Sequence, residues 1–512
     1  MRRTTPSRII IGSVLIAGVL HIVAAVHGQS NSSDRHSRDR DDTREFVPNG
    51  TLFENPGGTS TTYSTTRGGI DLTGPFFQSL GTNGRSCGTC HQPSDGMSVS
   101  AAHIQERFDD TRGLDPIFRT VDGSNCNHGM NVSTETGRKR AYSLLRTRGL
   151  IRVGITVPST ADFDIERVDN QYGCDETSTV SMYRRPLPST NLRFLSAVMF
   201  DGRESSPATG TTKIIYSNYP DALLADLAHQ SLDATNGHAQ GNGLPAAQQK
   251  QIVDFEMALF TAQATDSRDN LLNARGAAGG SKPLVRLPFF ISINSSVDFL
   301  QASLGMPSSS FVEPPGGLVT PGDGQFSSEI FNIFDAWRRL PDRDSRAAIA
   351  RGQALFNSTP IDITGVAGIN DDFGLSSVSG TCGTCHDTPN VGNHSFPTPL
   401  NIGVGDPDPS HPKRNLGGLD IGYLPTIQAC RKTDHSDCVL TTDLGQALID
   451  GKFNHIGRLK GPILRGLSAR APYFHNGSAQ TLLDVVKFYE VRFGVSFTPQ
   501  EEEDLVAFLS AL

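Results

Sequence analysis

Half of the eight cysteines lie in two copies of one pentapeptide, Cys87-Gly88-Thr89-Cys90-His91 and Cys382-Gly383-Thr384-Cys385-His386. Two thiols three residues apart on a tight helical turn can each add to one vinyl group of a haem. The imidazole that follows then lies under the iron. At this composition one such pentapeptide is expected by chance about 0.003 times, so two are not coincidence. The spacing predicts two covalently bound haem c groups. Cys87, Cys90, Cys382 and Cys385 would be the attachment points, with His91 and His386 as proximal iron ligands. A thioredoxin-like redox pair would need a βαβ context that neither copy has. Half a zinc site fits poorly, because each cysteine pair carries its own adjacent histidine.

The other cysteines are Cys126, Cys174, Cys430 and Cys438. An even number in an exported chain suggests two disulfides, Cys430 with Cys438 and Cys126 with Cys174; buried free thiols are the alternative. Export is read from the start of the chain. Arg2, Arg3 and Arg8 precede an apolar run from Ile9 to Val26, and small residues near Gly28 mark a cleavage point, so residues 1–28 read as a signal peptide. A single membrane anchor is the competing reading, weakened by Gly12, Ser13, Gly18 and His21 within the run. After cleavage no stable membrane span is expected, and the periplasm is the expected compartment. Loss of three arginines takes the formal charge from −8 to −11. An acidic chain without a basic patch excludes nucleic acid as a partner.

The elements that must hold the two pentapeptides look helical. The run Ala246 to Thr261 puts Ile252, Phe255, Leu259 and Phe260 on one face. Arg343 to Phe356 does the same with Ile349, Gly352, Leu355 and Phe356 just before the second pentapeptide. At the end of the chain Thr498 and Glu501 form a capping box, with Pro499 in the first turn and Leu505, Phe508, Leu509 and Leu512 as the buried stripe. Strand-like alternation is scarce. The expected fold is mainly α, with two c-type cytochrome domains, each with one covalent haem, long loops and little β. The expected division is a disordered lead-in at 29–50, an N-terminal haem c domain at 51–305, a Pro/Gly/Ser-rich linker at 306–325 and a C-terminal haem c domain at 326–512.

Several stretches together resemble the di-haem cytochrome c peroxidase family, which includes the di-haem enzyme that matures tryptophan tryptophylquinone. They are "RGQALF" before Cys382, "GPILRGLSARAPYFHNGSAQTLLDVVKFY" from Gly461 to Tyr489, "VMFDGRESS" from Val198 to Ser206, and a helix ending "FEMALFTAQATDS". About half of the chain carries this wording. Residues 92–190 match nothing in the pattern and read as an insertion.

The resemblance implies two unequal irons. The N-terminal one would react with hydrogen peroxide, and the C-terminal one would relay electrons. For the second iron the peroxidases use a methionine fourteen residues after the histidine of Pro-Tyr-Phe-His. Counting from His475 lands on Tyr489, and the quinone-maturing relative also has tyrosine there. His475 itself is the other candidate ligand, and Tyr489 could instead pack against the haem edge. Where the family has tryptophan before Asp-Gly-Arg, this chain has Phe200, followed by Asp201, Gly202 and Arg203. The only tryptophan is Trp337. The family's catalytic glutamate has no counterpart in Leu224 to Gln240. His238 falls nearest its place and His229 nine residues earlier, so a distal histidine could do the acid–base work, close the iron's sixth position, or be a polar loop residue. The family also commonly binds calcium between its domains, which transfers to Asn191, Arg470 and Pro472.

The resulting expectation is an exported oxidoreductase that reduces hydrogen peroxide, taking electrons from a small cytochrome c or cupredoxin. Members of the family often pair as homodimers. Two other readings stay open: a non-catalytic di-haem electron carrier with both irons six-coordinate, and a di-haem oxygenase acting on an organic polymer. The insertion leaves room for the substrate channel of the latter.

Overall fold

A strand from the start of the chain, Gly58–Ser64, pairs antiparallel with Leu259–Thr265 and brings the first pentapeptide under a distant helix. That helix, Ala246–Met257, is shorter than its apolar pattern suggested. Leu259, Phe260, Thr261 and Thr265 are aromatic, branched or apolar residues that suit a half-buried sheet. They continue as strand, and the Thr62 and Thr261 hydroxyls meet at 2.8 Å across it.

The computed structural model describes residues 45–207, 212–217, 219–295, 326–395 and 398–512. The expected signal peptide (1–28) and linker (306–325) lie outside the described residues. Residues 45–512 form one compact unit. Phe46–Pro48, within the expected lead-in, is a strand paired with Gly69–Asp71.

The mainly-α expectation is overturned. Among the described residues helix makes up 30% and strand 18%, in six small sheets of two or three strands. Most strands are only three to eight residues long, and two sheets join segments remote in sequence, Gly58–Ser64 with Leu259–Thr265 and Phe163–Asp169 with Thr426–Arg431, so little local periodicity is left to read. The stretch 92–190 shows this best. Ile151–Thr156 pairs with Thr179–Arg184, while Phe163–Asp169 adds to the hairpin Thr426–Arg431/Asp434–Thr441. Phe163, Val180 and Met182 from this stretch share one core with Ile427, Ala429 and Leu444. Both expected disulfides form, Cys126–Cys174 and Cys430–Cys438, and the four pentapeptide cysteines stay free.

Helices do frame the second pentapeptide. Ser345–Ser358 packs along Pro499–Ser510, and Arg351 binds the buried Asp504 at 2.7 Å. A Cβ at Gly352 would lie 1.9 Å from the Asp504 carbonyl oxygen, so only glycine permits this approach. The capping box at Thr498 and Glu501 is present as expected. No helix of the described residues is long and apolar enough to cross a membrane.

Candidate functional site

The two pentapeptides are built alike. Cys87–Thr89 and Cys382–Cys385 each form a single helical turn, capped by Ser86 with Thr89 and by Thr381 with Thr384. The His91 Nδ1–H donates to the Met97 carbonyl at 3.0 Å, and the His386 Nδ1–H to the Gly392 carbonyl at 2.7 Å. A phenylalanine packs against each imidazole, Phe76 at 6.1 Å from His91 and Phe356 at 5.9 Å from His386, between ring centroids. Anchoring Nδ1 on a carbonyl fixes the ring and leaves the Nε2 lone pair for a metal. Burial holds the His91 imidazole down to about 4 and lowers that of His386 too, so both imidazoles are neutral.

Over His91 opens a cavity with about 1310 Å³ of empty space, its mouth included. Its walls carry Cys87, Cys90 and His91, together with His238, Glu256 and Lys460, among mostly apolar neighbours. Free thiols, an oriented imidazole and an apolar void fit a covalently attached haem. Burial first pushes the Cys87 thiol up to about 12, with Glu256 adding to it, so these thiols are not primed for redox exchange.

His238 follows the helix Asp221–Gly237 and stands over this cavity. Its Nδ1–H donates to the buried Asp122 carboxylate at 2.5 Å, and Asp122 also binds Arg85. Burial raises the Asp122 pKa, but His238 and Arg85 outweigh it and hold the carboxyl below its ordinary range. With Nδ1 committed, Nε2 is the ring nitrogen of His238 left for chemistry. His229 is not brought to the cavity. It turns to Glu204 at 3.0 Å and Asp233 at 3.9 Å. Phe200 is buried, its ring 6.1 Å from His475 and its carbonyl accepting the Lys460 N–H at 2.7 Å. Arg203 folds back on Asp201 at 3.0 Å.

At the second pentapeptide, Tyr489 is carried by the helix Leu482–Phe493 and stacks on Phe493 at 6.1 Å. Burial, then the charges of Cys385 and Cys382, push its phenol above the ordinary range, so the phenol is within electrostatic reach of those thiols. His475 stands elsewhere. It is buried against Phe200, with Nε2 3.9 Å from Asp443 and without a hydrogen bond. His394, which no motif marked, donates from Nδ1 to the Cys385 carbonyl at 2.9 Å.

The calcium positions do not gather into an oxygen cage. Both ends of the Asn191 amide are bound to the Thr261 backbone, at 2.9 and 3.1 Å. The Arg470 carbonyl accepts from the buried Arg185 guanidinium at 2.9 Å, and that guanidinium also meets the Ala471 carbonyl, beside Pro472, at 3.5 Å. A protein cation already holds these carbonyls, so the three residues do not fit a calcium site.

Asp122, Arg85, Glu256 and Lys460 were missed in the sequence. Glu256 left a signal, since it lies one turn after the buried Ile252 on the same helix face. Asp122 left none, because its partners come from remote segments.

No family model matches the chain. It is similar to the protein named cytochrome-c peroxidase IdrP1 of Denitromonas iodatirespirans, 28% identical over 199 residues. The match covers 35% of this chain and 44% of that protein. This likeness supports a peroxidase-type oxidoreductase and extends no further.

Proposed function

We propose that the chain is an exported di-haem c-type oxidoreductase that reduces hydrogen peroxide in the cavity over His91. Electrons would arrive through the second haem, at Cys382, Cys385 and His386, from a small cytochrome c or cupredoxin. The observation that carries this reading is His238, hydrogen-bonded to Asp122 and lining the same cavity as Cys87, Cys90 and His91.

Bound haem supplies redox iron, and the protein's own residues manage protons and solvent. Reduction of hydrogen peroxide to two waters takes two electrons and two protons. Asp122 fixes the His238 ring so that Nε2 can take a proton from one peroxide oxygen and return it to the departing one. The apolar walls limit water at that point. Tyr489, within electrostatic reach of the second pair of thiols, supports an oxygen ligand there, which would favour ferric iron. The disulfides support an oxidising compartment.

The same His238 Nε2 is also the atom that would close the site as a sixth ligand, giving an electron carrier. An EPR spectrum of the ferric protein, before and after peroxide, separates the two. A high-spin signal that peroxide changes supports the enzyme. Two low-spin signals that peroxide leaves alone, before and after partial reduction, would replace it with the carrier.

A further inference from the structure

Among the described residues no carboxylate pairs with one cation in the wall of the cavity over His91. Lys460 is 5% exposed and lines the cavity. Its backbone N–H donates to the Phe200 carbonyl at 2.7 Å, which fixes the residue beside the Asp201-Gly202-Arg203 turn. Burial alone acts on its amine, drawing it down to about 8, and no carboxylate pushes back. An ammonium taken out of water without an anion is costly, so a residue of this kind in a cavity wall points to an anionic occupant.

Its place within the cavity narrows the choice. Glu256 acts on Cys87, and Arg85, Asp122, Arg107 and Asp115 act on Cys90. Lys460 acts instead on His394, whose Nδ1 bonds the Cys385 carbonyl at 2.9 Å. The next residue, Gly461, approaches His394 so closely that a Cβ there would stand 3.0 Å from its Cβ. Lys460 thus joins the cavity wall to the segment that carries His394, through the close approach of Gly461. In a haem attached through its vinyl carbons, the two carboxylates lie on the far side of the macrocycle.

We propose that Lys460 is the carboxylate anchor of this cavity, its ammonium pairing with a propionate of the haem held by Cys87 and Cys90. This rests on the reading of the first pentapeptide as a haem site. The pair would hold the haem in one orientation within the cavity and cancel one negative charge near its iron. Cancelling that charge disfavours the ferric state, so the pair keeps the reduction potential of this haem high.

The test uses the full-length exported protein and its Lys460→Met and Lys460→Arg variants. Potentiometric titration gives the potential of each haem, and resonance Raman reads the propionate bending band. Lys460→Met should keep both covalent haems, lower the potential of the N-terminal haem only, and shift its propionate band. Lys460→Arg should restore both towards the wild type, and Lys460→Gln stands in where the Met variant is not recovered. An unchanged potential and band in a variant carrying both haems overturns the anchor. Absence of haem on the Cys87–Cys90 peptide of the wild type, by mass spectrometry, overturns the underlying reading instead.

Discussion

His238 and Asp122, 116 residues apart, share a hydrogen bond of 2.5 Å at the wall of the cavity that also contains His91. The carboxylate is buried and held ionised by Arg85, so it fixes which nitrogen of His238 carries the proton. This arrangement makes the imidazole a directed base at Nε2.

His238→Ala should therefore cut peroxide turnover by about 100- to 10,000-fold, the range for a lost acid–base group. Both haems should remain attached. Asp122→Asn should lose part of that rate through the wrong tautomer. Steady-state kinetics with peroxide, alongside haem quantitation, measures both.

Tyr489→Phe removes only the hydroxyl, which the Cys385 and Cys382 thiols reach electrostatically. The low-spin EPR signal of the second haem should change while the haem content stays at two. If the signal persists, the phenol is not a ligand, and the iron's partner lies elsewhere.

Glu256 gives a pH dependence. Burial pushes its carboxyl up to about 8 from 4.5, against a hydrogen bond to Ser189. The folded chain then holds a proton that the unfolded chain lacks across this window. Its contribution to stability is complete below the lower value and is lost as pH rises through the upper one. Glu256→Gln should flatten the alkaline fall in Tm, measured between about pH 5 and about pH 9.

Arg184 closes the strand Thr179–Arg184 and binds Asp443 at 2.7 Å as well as Asp201. All three are buried, and the two carboxylates depend on this arginine. Arg184→Met should cost about 3–5 kcal/mol, because it strands buried charge, and denaturant unfolding will show it. Conservative loss of a surface pair such as Lys250–Asp254 should cost under about 1 kcal/mol by the same measurement.

The amino-acid sequence by itself determined what is local. Ser86/Thr89 and Thr381/Thr384 caps, the thiol spacing and the adjacent histidines sit within single turns, where neighbours in sequence are neighbours in space. The C-terminal helix was equally legible, because its cap and apolar stripe are written in consecutive residues. The sheets were not, since Phe163–Asp169 finds its partner only at Thr426–Arg431 and a short strand has no stable pattern alone. The same reason hid the most informative contacts. His238 could be singled out by position, but its partner Asp122 and the isolated cation Lys460 acquire roles only when remote segments enclose one cavity. Burial there removes the water that would otherwise screen those charges, so only the tertiary structure decides which of them matter.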